Sequence, residues 1–130
     1  MRIAHVALWT PDLDQAANFW RRYFDASVGT TYHSRHRPGF VSRFVELAGG
    51  DQIELMTGPW IGATSSEGER TGWDHIAITV GDRSDVDRLA TRCGAEGCLL
   101  SAPRLTGDGF YEAVIAMPDG TRIEITATPA

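Results

Sequence analysis

Apolar positions along this chain follow two periods in turn, one of two residues and one near 3.6. Residues 2–9 are mostly apolar or alternating and predict a strand. Thr10-Pro11-Asp12 then signals a helix start, with Pro in the first turn and Asp12 and Gln15 spaced as a capping box. Ala16, Phe19, Trp20, Tyr23 and Phe24 recur at helical spacing and form a wide apolar stripe, the signature of a core-facing helix. Strands follow at about 27–34, 40–47 and 51–56, separated by turns at Arg37-Pro38-Gly39 and Gly49-Gly50-Asp51. Residues 57–71 lose all periodicity and are rich in Gly and Ser. The pattern then restarts. A buried strand at 73–80 leads to a helix beginning at Asp82, with Val86, Leu89, Ala90 and Cys93 on one face. Strands at about 96–102, 110–117 and 121–127 complete it, the last two joined by a tight turn at Pro118-Asp119-Gly120.

The restart is a repeat. Displacing the sequence by 70 residues superimposes Asp12 on Asp82, Gly39-Phe40 on Gly109-Phe110, Gly50 on Gly120, Ile53 on Ile123 and Leu55 on Ile125. Two copies of such a long unit do not make a solenoid, which needs three or more. They predict an α+β fold of two tandem βαβββ modules, each laying one helix on a four-stranded sheet, together forming a curled mixed sheet. The expected organisation is a single domain over 1–130: module one at 1–57, a linker at 58–71 and module two at 72–130.

The same displacement relates four polar residues: 75 − 5 = 70 for His5 and His75, and 124 − 54 = 70 for Glu54 and Glu124. Successive side chains of a strand point to opposite faces. Ile76, Ile78 and Val80 therefore share the face that packs on a helix, and His75, Ala77 and Thr79 take the other. Likewise Ala4, Val6 and Leu8 leave His5, Ala7 and Trp9 opposite, and Glu54 and Glu124 each stand between two aliphatic residues. All four polar groups are aimed away from the helices, into the concave side. Buried carboxylates are costly unless paired. A divalent cation removes that cost, with two carboxylates balancing its charge and two imidazoles completing a four-ligand set. Nitrogen and oxygen donors suit Ni, Zn, Co, Mn or Fe.

Composition narrows the partners. The net charge of −5 lacks the basic footprint that nucleic acid requires. No apolar run approaches the length of a membrane span, and Met1-Arg2-Ile3-Ala4-His5 enters a strand directly, so the expectation is a cytoplasmic protein acting on a small molecule. Cys93 and Cys98, the only cysteines, read as two reduced thiols.

His5, Glu54, His75 and Glu124 on βαβββ repeats resemble the vicinal oxygen chelate superfamily, with the glyoxalase/bleomycin-resistance/dioxygenase fold, and within it the glyoxalase I type. The likeness covers nearly the whole chain and includes Asp119-Gly120 before the last strand. Ring-cleaving dioxygenases and fosfomycin enzymes of the superfamily use two His and one Glu, and methylmalonyl-CoA epimerases typically place Gln where Glu54 stands. The resemblance implies a lactoylglutathione lyase-like isomerisation of a metal-chelated adduct between a 2-oxoaldehyde, such as methylglyoxal, and a thiol. It implies one divalent ion, Ni or Zn foremost, a homodimer, and Glu124 as the proton-carrying base, with Glu54 its symmetric alternative. His5 and His75 would hold the metal. Rival readings are a metal-dependent epimerase or dioxygenase, or an antibiotic-binding resistance protein.

The resemblance breaks at the thiol. Glutathione-using members carry an Arg four residues after the first ligand, where this chain has Trp9. They also carry an Asn shortly after the second ligand, where it has Leu55-Met56-Thr57-Gly58. Trp9 shares the face of His5, either lining the mouth or favouring a flatter, more apolar substrate. Arg104 is expected in a Gly-rich loop before a strand and is a candidate to swing over substrate. Tyr32-His33-Ser34-Arg35-His36-Arg37 reads as a solvated hairpin or as an anion clamp. Alternation puts Asp74 on the face opposite His75, a structural place.

Overall fold

The computed structural model describes residues 1–62, 69 and 71–129. The chain divides into two compact units, Met1–Thr64 and Ser65–Ala130. Half of the predicted linker, residues 63–68 and 70, lies outside the described residues.

In the first unit β1 (Val6–Trp9) leads to α1 (Leu13–Phe24), then β2 (Ser27–Val28), β3 (Tyr32–His33), β4 (Val41–Glu46) and β5 (Gln52–Thr57). The strands form one mixed sheet in the order β1-β5-β4-β2, with β3 also paired to β4. In the second, β6 (His75–Gly81) leads to α2 (Arg83–Ala95), β7 (Leu99–Leu105), β8 (Tyr111–Ala116) and β9 (Arg122–Ala127), ordered β6-β9-β8-β7. The second unit is thus a βαβββ module, and the first matches it with the strand after its helix divided into β2 and β3. The repeat extends to register: parallel β1–β5 sets Ala7 beside Glu54, and parallel β6–β9 sets Ala77 beside Glu124. Phe44 faces Glu54 across β4–β5 as Val114 faces Glu124 across β8–β9.

Both helices start where an aspartate can cap them. Asp12 accepts from the Gln15 backbone N–H at 2.9 Å, and Asp82 accepts from that of Asp85 at 3.0 Å. The full reciprocal capping box forms only at α2, where the Asp85 carboxylate returns to the Asp82 N–H at 2.8 Å. Pro11 stands before the cap rather than in the first turn, because Asp12 takes the cap position itself. The hairpins before β5 and β9 both turn on glycine with positive φ, 91° at Gly50 and 88° at Gly120, a conformation that a Cβ strains.

Ala16, Ala17, Phe19 and Trp20 of α1 are buried, as are Val45, Ile53 and Leu55 of the sheet it packs on. Val86, Ala90 and Cys93 of α2 likewise meet a sheet whose Ile115, Ile123 and Ile125 are fully buried. Burying such side chains contributes about 1.5–3 kcal/mol each before entropy is counted. The opposite face carries Glu54 beside Ala7 and Phe44 in the first sheet, and Glu124 beside Ala77 and Val114 in the second.

Several boundaries differ from expectation, and the strand expected at about 96–102 runs instead over Leu99–Leu105. The strand predicted at 73–80 begins at His75, and Trp73 is 98% exposed rather than buried. The strand predicted at 2–9 begins at Val6, since β5 offers no partner to residues before its own start. The single strand expected near 27–34 is two short ones, both paired to β4. Among the described residues, no helix is long and apolar enough to cross a membrane.

Candidate metal and substrate site

Each module brings its histidine and its glutamate together. In module one His5, just ahead of β1, reaches along the sheet so that Nε2 lies 3.6 Å from Glu54 Oε2. The His5 ring meets Phe44 edge-on, centroids 5.3 Å apart, which fixes the imidazole over the carboxylate. In module two His75 Nε2 lies 3.2 Å from Glu124 Oε2. Both glutamates are mostly buried and both histidines partly exposed.

Asp74 is not on the far face. The ladder between β6 and β9 opens at His75 and Arg122, so Asp74 precedes the pleat and its side chain is free to turn. His75 Nδ1 donates to Asp74 Oδ2 at 2.7 Å, and this bond holds the Asp74 carboxyl below the usual carboxylate range. An ionised carboxylate can only accept, so Nδ1 is the donor to Asp74 and Nε2 is the ring atom turned toward Glu124. A carboxylate behind an imidazole is the arrangement that orients metal-ligating histidines and raises their basicity.

The donor types in each pair are those a divalent metal takes. A shared proton or a shared divalent ion accounts for so short an approach between an imidazole nitrogen and a carboxylate oxygen. Nitrogen and oxygen ligands on one first-row divalent ion stand roughly 2.9–3.4 Å apart, from bond lengths near 2.1 Å at tetrahedral or octahedral angles. The 3.2 Å pair of module two falls inside that range and the 3.6 Å pair of module one just outside it. Among the described residues no group of three or more His, Cys, Asp and Glu side chains stands ready for an ion; the donors stand as these two pairs.

Glu112 escaped the sequence reading. It is buried on β8, one alternation from the rung that faces Glu124. Burial, and then the facing Glu124 carboxyl, push it up to about 7, against the pull of Arg104. Its repeat counterpart, Ser42 (112 − 70 = 42), is buried too, and that shared inward position was the available signal. Arg104 lies in β7 rather than in a loop, donating to Ser101 Oγ at 2.7 Å and reaching Glu112 Oε1 at 3.4 Å. It acts behind Glu112, with its charge engaged.

Trp9 follows His5 on the face away from α1 and is 41% exposed. Its ring meets Phe40 and Trp60 edge-on, at 5.9 and 6.2 Å. Trp60 was expected in a featureless linker. Cys93 and Cys98 are both free thiols, and burial pushes Cys93 up to about 12, so it stays protonated and inert.

Comparison with known proteins agrees with this architecture. An uncharacterised protein of Pseudomonas aeruginosa is 31% identical over 107 residues, 78% of this chain and 70% of its own. The glyoxylase/bleomycin resistance protein/dioxygenase domain from Frankia superposes with a TM-score of 0.82 at 19% identity, over 98% of this chain and 91% of that one. A glyoxalase I variant from Zea mays gives 0.78 at 19% identity, over 99% of this chain and 45% of that one. The fosfomycin resistance protein FosX from Listeria monocytogenes, solved with Mn(II) and sulfate, gives 0.72 at 22% identity, over 98% and 92%. The sequence model of one family matches residues 2–125, and the chain belongs to that family, the Glyoxalase/Bleomycin resistance protein/Dioxygenase superfamily.

Proposed function

We propose that this protein is a divalent-metal-dependent lyase of the glyoxalase I type, moving a proton within an adduct of a 2-oxoaldehyde and a thiol. One observation carries the reading: each module sets one imidazole nitrogen against one carboxylate oxygen, at 3.6 and 3.2 Å, in positions related by the repeat. His5, Glu54, His75 and Glu124 would hold one ion between them, Ni or Zn foremost. Bound there, the ion would supply Lewis acidity toward two adjacent oxygens of the substrate.

The protein's own groups divide the remaining work. His5 is braced by Phe44 and His75 by Asp74, so both imidazoles serve as fixed donors. The glutamates carry the proton. Glu124 is the base, taking the proton at a carboxylate oxygen and returning it to the neighbouring carbon, with Glu54 its symmetric alternative. A carboxylate has one oxygen for holding and one for transfer, which makes the double duty feasible. The carboxyl of Glu112 faces Glu124 and helps fix its orientation. A homodimer is the proposed assembly.

A second reading is favoured by Trp9, which stands where a glutathione-gripping Arg is expected. The same ion site would then serve an epimerase, a dioxygenase or another superfamily enzyme with a different oxygen-chelating substrate. FosX is one such neighbour. Metal analysis of purified protein, followed by absorbance assays with methylglyoxal and a panel of thiols, separates these readings. Bound metal with thioester formation is expected. Bound metal without thioester would select the second reading, and absence of metal after loading would leave a binding protein.

A further inference from the structure

We propose that module one carries a subsite for the flat, apolar, carboxylate-bearing part of the ligand, built from Arg37, Trp9, Trp60 and Phe40. The Arg37 guanidinium lies 4.2 Å from the Trp60 ring centroid, 5.6 Å from that of Trp9 and 5.8 Å from that of Phe40. Tyr32 extends the group, edge-on to Phe40 at 6.5 Å. Trp9, Trp60 and Tyr32 are exposed, 41%, 41% and 55%, although each is large and apolar enough to be expected inside.

The charge on this platform is uncommitted. Arg43, Arg88 and Arg104 each have a carboxylate within ion-pair distance. Among the described residues none is recorded for Arg37. Cation–π contact occupies the face of a guanidinium and leaves its edge of N–H donors free. A fork of donors held against aromatic rings, with its edge open to solvent, suits an oxyanion on a planar body. A single guanidinium matches a monoanion, hence a carboxylate.

The platform is held in place by its backbone. The turn closed by the Ile61 N–H donating to Gly58 O at 3.1 Å lays the Trp60 ring on Gly58, where a Cβ would come within 2.4 Å of the ring. Pro59 packs on Gly39 so closely that a Cβ there would lie 2.8 Å from its Cδ. Arg37 is tied by its own N–H to Ser34 Oγ at 3.0 Å, and the Phe40 N–H donates to Arg37 O at 3.0 Å. Most of it is not duplicated. The counterparts of Trp9, Arg37 and Trp60, 70 residues on, are Thr79, Gly107 and Ala130. The repeat copies the ion-holding pairs, and module one alone adds the platform, as a selectivity element would.

Trp9 lies four residues from His5 on the same face, roughly 13 Å of extended chain. A ligand touching both is larger than a methylglyoxal adduct of a small thiol. The inference rests on the proposed function only in taking this ligand to be the substrate.

Calorimetric titration of the metal-free whole chain tests it, with metal content and turnover measured separately so that either reading can fail alone. The probes are 2-naphthoate, its neutral isostere 2-naphthamide, and acetate. We expect 2-naphthoate to bind at least tenfold more tightly than either other probe. Arg37→Gln should bring 2-naphthoate down to the level of 2-naphthamide and leave 2-naphthamide unchanged, while Trp60→Ala weakens both. Arg37 is exposed, so its variant folds and decides the matter even if Trp60→Ala does not. Equal binding of 2-naphthoate by wild type and Arg37→Gln, or no saturable binding, would overturn the proposal.

Discussion

At the scale of single residues, the account turns on which atom faces which. Asp74 holds His75 through Nδ1 at 2.7 Å, and loss of such an outer partner of a metal-ligating histidine typically costs about 10–100-fold in metal affinity. Asp74→Asn should therefore weaken binding of Zn or Ni by about that factor while the fold persists; unchanged affinity would remove Asp74 from the site. Glu124→Gln should keep much of the metal and abolish turnover with methylglyoxal and thiol, since the amide still offers an oxygen but cannot take a proton. Retained turnover would refute the base assignment. Glu112 gives a pH signature in metal-free protein. Its folded value of about 7 lies above the ordinary 4.5, so its proton stabilises the fold. That contribution is full below about pH 4.5 and disappears as the pH rises through about 7. Urea melts should show stability falling across this window, and Glu112→Gln should flatten the slope; an identical slope in both proteins would contradict the burial argument.

At the scale of elements, the sequence was legible wherever one face of a strand or helix meets a core. Alternation through His75-Ile76-Ala77-Ile78 placed His75 and Glu124 on the face away from α2, and the register between β6 and β9 agrees. What alternation could not say is where pairing stops. Strand ends are set by the partner: β9 begins at Arg122, so β6 begins at His75 and Asp74 turns toward the imidazole. Arg104 is the converse case. Pro103 and the Gly-rich sequence after it read as loop, yet β7 is an edge strand with two register shifts, where proline is tolerated. Trp60 was illegible because its contacts with Trp9 and Arg37 join residues far apart in sequence through a Gly-Pro turn. The elements themselves make a stability prediction. Leu55 and Ile123 are fully buried beneath α1 and α2. Truncating either to Ala should cost about 2–5 kcal/mol in denaturant unfolding. Trimming exposed Leu100 should cost far less, and equal costs would mean the cores are misassigned.

At the scale of the whole molecule, one chain contains the same module twice and uses the copies differently. Helix capping, glycine turns, strand register and the His–Glu pair are shared, whereas the aromatic platform with Arg37 occurs once. Duplication explains why two His–Glu pairs could be read from the sequence by one displacement of 70 residues. It also explains why Glu112 and Trp60 could not, since their chemistry is absent from their counterparts Ser42 and Ala130. We propose that the two pairs serve a single ion. Metal content after loading and desalting tests it directly, in the wild type and in two double variants, His5→Ala with Glu54→Ala and His75→Ala with Glu124→Ala. The account predicts about one divalent ion per chain in the wild type and almost none in either variant, because half a ligand set holds metal weakly. A double variant that keeps its full complement, or a wild type that retains no ion, would contradict it.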